Sequence, residues 1–242
     1  EIVIDLRAGN SKSQKVKDLE NNVFTYKDEK ILKAVALYGA NASGKSNIIK
    51  AIRFCCSMIF QSHTHNEDVI FNFVPFKFER YSEKPSSFLI RFVCNDIEYE
   101  YGFTLTRAKI ITENLYYYPN ERRAKVFTRD ETIKGNKNVK YSFGNVIKKP
   151  LDVAENTSDK TLYISRASQM DRELGKEIFN FFNEQFILDY TGFNSINIET
   201  LININRKLTI KALQIADSDI VNIKVEKKEV PVKSFSVTFP AT

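Results

Sequence analysis

Cysteine and histidine are both scarce in this sequence of 242 residues, with three of the first and two of the second. Cys55 and Cys56 are adjacent and Cys94 stands apart, an odd number without metal-ligand spacing, which excludes a disulfide framework and a thiolate metal site. The three are expected to be reduced packing residues. His63 and His65 lie two apart beside Glu67 and Asp68, but with no other histidine and no nearby cysteine they are expected in a mobile polar surface loop, not around a metal. No Ser/His/Asp or Cys/His arrangement for nucleophilic catalysis can be assembled. No apolar run approaches the roughly 20 residues that span a bilayer. Glu1–Leu6 alternate apolar and charged residues and lack the basic start and apolar stretch of a secretory signal. A cytoplasmic protein without a membrane segment is expected. A dense tract of one charge is also lacking: Lys and Arg number 36 and are scattered among 30 acidic residues, for a net charge of +6. Nucleic acid is therefore a candidate partner on charge balance, with a solvated basic face as the plainer alternative. Internal repeats and low-complexity tracts are absent.

What is present is a phosphate loop. Gly39-Ala40-Asn41-Ala42-Ser43-Gly44-Lys45-Ser46 matches the G-x-x-x-x-G-K-[ST] spacing. Gly39 and Gly44 free the backbone to point N–H groups inward at phosphate oxygens, which side chains or ordinary φ values would obstruct. Lys45 is expected to reach the β- and γ-phosphates, Ser46 to place its hydroxyl on Mg²⁺, and Asn47 to lie in the same phosphate-binding turn at the positive end of a helix. Ile31–Tyr38 is a continuous apolar run, the pattern of a strand covered on both faces. After Lys45, the positions Ile48, Ile49, Ile52, Cys55, Cys56 and Ile59 recur at helical spacing and predict one buried stripe.

Beyond a polar loop at 61–68 the texture changes to alternating aromatic and β-branched residues. Phe73–Tyr81, Ser87–Cys94, Glu98–Thr106, Lys109–Tyr118 and Ala124–Arg129 read as five successive strands of an antiparallel meander. Glu131–Pro150 reads as an exposed hairpin or loop. Helices are expected over Gln169–Phe186, with Ser168 and Asp171 spaced as a capping box, and over Glu199–Ile215. Glu1–Leu6, Ile220–Val225 and Val232–Phe239 read as strands. The fold class is thus α/β with α+β character. Residues 1–130 are expected to form the nucleotide-binding lobe, and 131–242 a helical insertion with terminal strands. Because the chain opens at Glu1 in a strand-like alternation without methionine, preceding residues are expected to be missing.

Hydrolysis of ATP needs a carboxylate at the end of an apolar strand, usually beside a catalytic glutamate. Phe186-Ile187-Leu188-Asp189 is the nearest match, but Tyr190 and Thr191 follow it, so a helix end is the expected reading. Tyr116, Tyr117 and Tyr118 followed by Arg122, Arg123 and Lys125 interleave rings with positive charge as nucleic-acid surfaces do, with a strand end and basic hairpin as the alternative.

The segment Leu37–Ile52, with Val74-Pro75-Phe76, Tyr99-Glu100-Tyr101-Gly102-Phe103, Leu115–Pro119 and, more loosely, Leu213–Asp217, resembles the prokaryotic AAA-family branch of the ABC-like ATPases, related to OLD-family and SMC-type heads. The resemblance implies a P-loop lobe joined to an antiparallel sheet, a helical insertion, Mg²⁺ and ATP as ligands, and two heads closing face to face on nucleotide. It implies a homodimer or higher homo-oligomer and an effector partner, a nuclease or toxin, in abortive infection or anti-phage defence. A serine-glycine signature and the Mg²⁺ carboxylates, which such proteins carry toward the carboxyl end, have no counterpart here, which implies truncation or degeneracy. An SMC-type head acting on DNA and a non-hydrolysing nucleotide sensor are the alternatives.

Overall fold

The computed structural model describes residues 2–9, 20–75, 84–148, 150–186, 205–216 and 219–224. The chain divides into two compact units, 1–186 and 187–242.

In the first unit, β1 (Val23–Tyr26) and β2 (Glu29–Leu32) form an antiparallel hairpin, and α1 (Lys45–Gln61) follows the phosphate loop. Then comes a five-stranded antiparallel sheet in sequence order: β3 (Ser86–Cys94), β4 (Ile97–Leu105), β5 (Ile110–Tyr117), β6 (Ala124–Asp130) and β7 (Tyr141–Phe143). Its mixed α/β character is as the sequence predicts. Register puts Phe88, Phe92, Tyr99, Tyr101, Phe103, Leu115 and Phe127 on one face, and that face carries the core. Helices α3 (Pro150–Glu155), α4 (Tyr163–Gln169) and α5 (Glu173–Gln185) come next in the chain, after the four-residue α2 (Lys137–Lys140) between β6 and β7. Aromatic contacts join these layers. Phe92 packs on Phe181 at 4.8 Å and on Phe182 at 5.0 Å, Phe127 on Tyr163 at 4.5 Å, and Phe60 on Phe179 at 5.2 Å. In the second unit, α6 (Arg206–Ala216) is tied to its own following segment by Arg206 bonds to Asn222 and Ile223 and a Gln214 bond to Ile220.

Four of the five predicted meander strands form within a residue or two of their expected ends. The other differs. Phe73–Pro75 is irregular, its remainder lies outside the described residues, and the fifth strand of the sheet is Tyr141–Phe143, inside the stretch read as an exposed hairpin or loop. Tyr141 and Ile147 are buried there, because Tyr141–Phe143 pairs with β6 and brings them against the sheet, while Ile133, Val139 and Val146 stay exposed.

The predicted helix Gln169–Phe186 is two helices. At the end of α4 the Arg172 N–H donates to the Ala167 carbonyl at 2.9 Å and the Asp171 N–H to Ser168 at 3.1 Å, with Asp171 at φ +58°. This is a Schellman stop with aspartate in the left-handed position usually given to glycine. Ser168 therefore lies in the last turn of α4, and no capping box forms with Asp171, whose carboxylate holds Lys176 at 2.9 Å instead. The chain reverses tightly, and a Cβ added at Gly175 would lie 2.7 Å from the backbone of Ala167 and Ser168. The predicted helix Glu199–Ile215 begins at Arg206 among the described residues; 199–204, Asp189 and the predicted strand Val232–Phe239 lie outside them. Residues 2–6 and 220–224 are irregular and not strands, with one bridge joining Arg7 to Ile31.

Polar residues buried in this unit form one connected system. The Glu113 carboxylate accepts from Tyr163 N–H at 2.6 Å, Ile164 N–H at 3.1 Å and the Tyr101 hydroxyl at 2.9 Å, and lies 3.5 Å from Arg129. Arg129 donates to the carbonyls of Thr161 and Ser158, each at 2.7 Å, and to Glu131 at 2.8 Å. Burial pushes the Glu113 carboxyl upward, against the pull of Arg129 and the two amides. Burial also acts to raise Glu131, but the Lys140 bond at 2.8 Å together with Arg129 and Lys137 outweighs it and holds the carboxyl down to about 2. A folded value below the unfolded one means that this group's stabilisation is complete above about pH 4.5 and is lost as pH falls towards 2. Acid unfolding followed by circular dichroism is therefore expected to show a weaker pH dependence between these limits in Glu131→Gln than in the parent. Independently, Gly175→Ala is expected to lower stability by roughly 1–3 kcal/mol, measured by urea unfolding, because the new methyl meets fixed backbone.

Candidate phosphate-binding site

The loop and α1 form where the sequence places them, but the strand before them does not. Residues 34–40 are irregular, and no described strand pairs with them. Val35, Leu37 and Tyr38 are 47%, 44% and 92% exposed. A fully apolar strand needs neighbours on both edges to satisfy its backbone and both faces to bury its side chains. Without them among the described residues, only Ile31 and Leu32 of the predicted run enter a ladder, with β1. The predicted stripe of α1 is likewise half realised: Cys55, Cys56 and Ile59 are buried, as is Met58 beside them, whereas Ile49 is 41% exposed. The carboxyl half of α1 thus anchors the helix, and its amino half projects with the loop.

Within the loop, Asn41 and Ala42 make a turn in which the Ser43 N–H donates to the Ala40 carbonyl at 3.2 Å. Ala42 has φ +65° and Gly44, the N-cap of α1, has φ +92°. The Lys45 ammonium folds back and donates to the Gly39 and Ala40 carbonyls, 2.7 Å each, with Ser43 Oγ at 3.5 Å. Ser46 is exposed on the first turn beside Lys45, and the Asn47 N–H donates to Gly44 at 2.9 Å. No acidic residue lies in that first turn. The nine predicted residues are therefore contiguous in space: a positive side chain, a helix amino end with unused N–H groups, and a hydroxyl. This set fits a polyphosphate. An arriving phosphate would compete with two carbonyl oxygens for the ammonium, and a charge-assisted bond to an anion is the stronger of the two.

The chain matches, over residues 34–237, the model of the family described as "AAA domain, putative AbiEii toxin, Type IV TA system". It belongs to this family. A P-loop ATPase of the abortive-infection toxin–antitoxin type is thereby the class of this AAA domain. No curated protein and no solved structure is significantly similar to the chain.

Other sequence candidates in this AAA domain resolve as structure. His63 and His65 are partly buried in a short 3-10 turn after α1, with His63 Nδ1 3.2 Å from Ser165 Oγ and His65 Nδ1 3.2 Å from the Lys160 carbonyl. They tie this turn to the 160–165 segment instead of standing clear on the surface, and no group of three metal-type side chains occurs among the described residues. All three cysteines are free and buried, and burial pushes the Cys56 thiol up to about 11. Arg123 lies 3.4 Å over the Tyr116 ring, while Glu100 holds both Arg123, at 2.6 Å, and Arg91, at 3.0 Å. Tyr118 also donates to Glu100 at 3.0 Å, whereas Lys125 is bonded to Ser142, so Tyr118 and Arg123 of that strand end share one carboxylate with Arg91. Among the described residues no helix is long and apolar enough to cross a membrane. Sequence reasoning overlooked the buried Glu113 and Arg129. A charged residue at an inward strand position, two before Leu115 in one case and two after Phe127 in the other, is the signal that marks them.

The two left-handed positions make opposite predictions. Gly44→Ala is expected to cost roughly 1–2 kcal/mol of stability by forcing a Cβ into that conformation, whereas Ala42→Gly relieves the same conflict and is expected to cost nothing. Thermal unfolding of the two variants beside the parent measures both.

Proposed function

We propose that this chain binds Mg-ATP through Gly39–Asn47, that two copies associate on the bound nucleotide, and that the switch controls an effector partner in anti-phage defence by abortive infection. The observation that carries the first step is the Lys45 ammonium held over the loop carbonyls beside the amino end of α1. Lys45 would exchange those carbonyls for β- and γ-phosphate oxygens. The N–H groups of the first turn would receive the remaining charge, and Ser46 would supply one oxygen to Mg²⁺. Mg²⁺ supplies charge neutralisation between the phosphates when bound. Membership in the toxin–antitoxin family supports the effector and defence steps.

Turnover needs a carboxylate to hold the metal and orient water. The proposal assigns that role to no residue of this chain, and tight ATP binding without phosphate release would point to the nucleotide-sensing alternative. The test is calorimetric titration with Mg-ATP. The parent is expected to bind, and Lys45→Ala to weaken binding by roughly 10- to 100-fold through loss of charge-assisted bonds. Equal affinity of the two would overturn the assignment. Sedimentation of the parent with Mg-ATP is expected to show a dimer absent without nucleotide.

A further inference from the structure

The buried polar side chains of the described residues fall in one place. Ser62, Glu113, Arg129, Thr157, Thr161 and Ser165 are the buried polar side chains among the described residues, and all bond to or within the segment 153–165. The sheet holds one side of that segment through Glu113 and Arg129. The other side is held by the end of α1, the helix that begins at the phosphate loop.

That second contact is a clasp of short side chains. The Thr161 hydroxyl donates to the Ser62 carbonyl at 2.9 Å, and the Leu162 N–H donates to Ser62 Oγ at 3.0 Å. The His63 N–H donates to Ser165 Oγ at 3.2 Å, and Arg166 donates to the His63 carbonyl at 3.2 Å. Ser62 is the C-cap of α1, so the clasp grips the carbonyl and hydroxyl of the cap and the amide that follows it, at the end of a 17-residue helix whose amino half is little buried. Such a helix is a stiff rod of about 25 Å. It is anchored at Cys55–Ile59 and comparatively free at Lys45–Ile52. Any reorientation of the loop end must be met at the anchored end, where the hydrogen bonds are directional and their partners begin α4.

We propose that the Ser62–Thr161–Ser165 clasp couples occupancy of the phosphate loop to the position of α4, so that nucleotide at one end of α1 is reported at the helical block at the other. The inference rests on nucleotide binding at Gly39–Asn47 as proposed above. Coupling between two sites is reciprocal, so a clasp that responds to nucleotide must also alter affinity for it. Thr161, Ser62 and Ser165 are positioning residues in this scheme and touch no ligand.

The test is Mg-ATP affinity of the full chain in four variants, read beside thermal stability. Thr161→Val removes the hydroxyl at nearly constant shape and is expected to change the Kd by roughly 2- to 30-fold, and Thr161→Ser is expected to restore the parent value. Ser165→Ala releases the His63 amide and is expected to shift the Kd in the same direction, which keeps the test open if Thr161→Val does not fold. Val126→Ala, a core truncation outside the clasp, is expected to lower stability without changing the Kd. Hydrogen exchange at Leu162–Ser165 is expected to change when Mg-ATP is added to the parent. If the parent binds Mg-ATP but the clasp variants share its Kd and exchange at 162–165 is unaltered, the coupling is overturned and the binding site stands. If the parent binds no Mg-ATP, the binding site falls and the coupling with it.

Discussion

The ion pair between Glu113 and Arg129 is the constraint on which the rest of the first unit depends. Both side chains are fully removed from water, and an isolated charge there would be strongly destabilising. The pair is tolerated because its remaining hydrogen-bonding capacity is met by two amides at the start of α4, the Tyr101 hydroxyl, the carbonyls of Ser158 and Thr161, and Glu131. Those partners fix where α4 begins relative to the sheet. Removing one member of such a pair typically costs about 3–5 kcal/mol, a large share of the stability of a domain. Thr161, whose carbonyl Arg129 holds, and Leu162 in turn bond to Ser62, the C-cap of α1.

Anchoring one end of α1 so firmly leaves the other end comparatively unconstrained. The phosphate loop is exposed, its lysine is satisfied by the loop's own carbonyls, and two residues sit at positive φ. Ala42 is in a conformation that costs a non-glycine residue on the order of 1 kcal/mol, the kind of local strain found where a backbone must present its amides to a ligand. A rigid foot and a lightly held head suit a site that must exchange internal bonds for bonds to a ligand.

The chemistry was more legible in the sequence than the packing. The phosphate loop could be recognised because its function needs particular residue types at fixed spacing, and α1 because its apolar positions repeat over about three turns. The strands β3 to β6 were legible from period-two alternation. Ile31–Tyr38 was not, because an apolar run becomes a strand only beside partners, and sequence does not show whether partners are present. The split between α4 and α5 was hidden because its signal is Asp171 in a left-handed position normally taken by glycine, while helical periodicity continues through Leu174 and Ile178 on the far side. Glu113 and Arg129 were missed because in a strand of mixed texture one charged inward residue looks like an outward one displaced by a single position.

Nucleotide binding at the loop turns on whether the Lys45 ammonium trades carbonyl oxygens for phosphate oxygens. The most direct measurement is a crystal structure of the chain with Mg²⁺ and a non-hydrolysable ATP analogue. The β- and γ-phosphates are expected at the amino end of α1, with Lys45 Nζ moved from the Gly39 and Ala40 carbonyls onto them and Ser46 Oγ on the metal. A nucleotide bound elsewhere, or one bound with Lys45 still on the loop carbonyls, would contradict this.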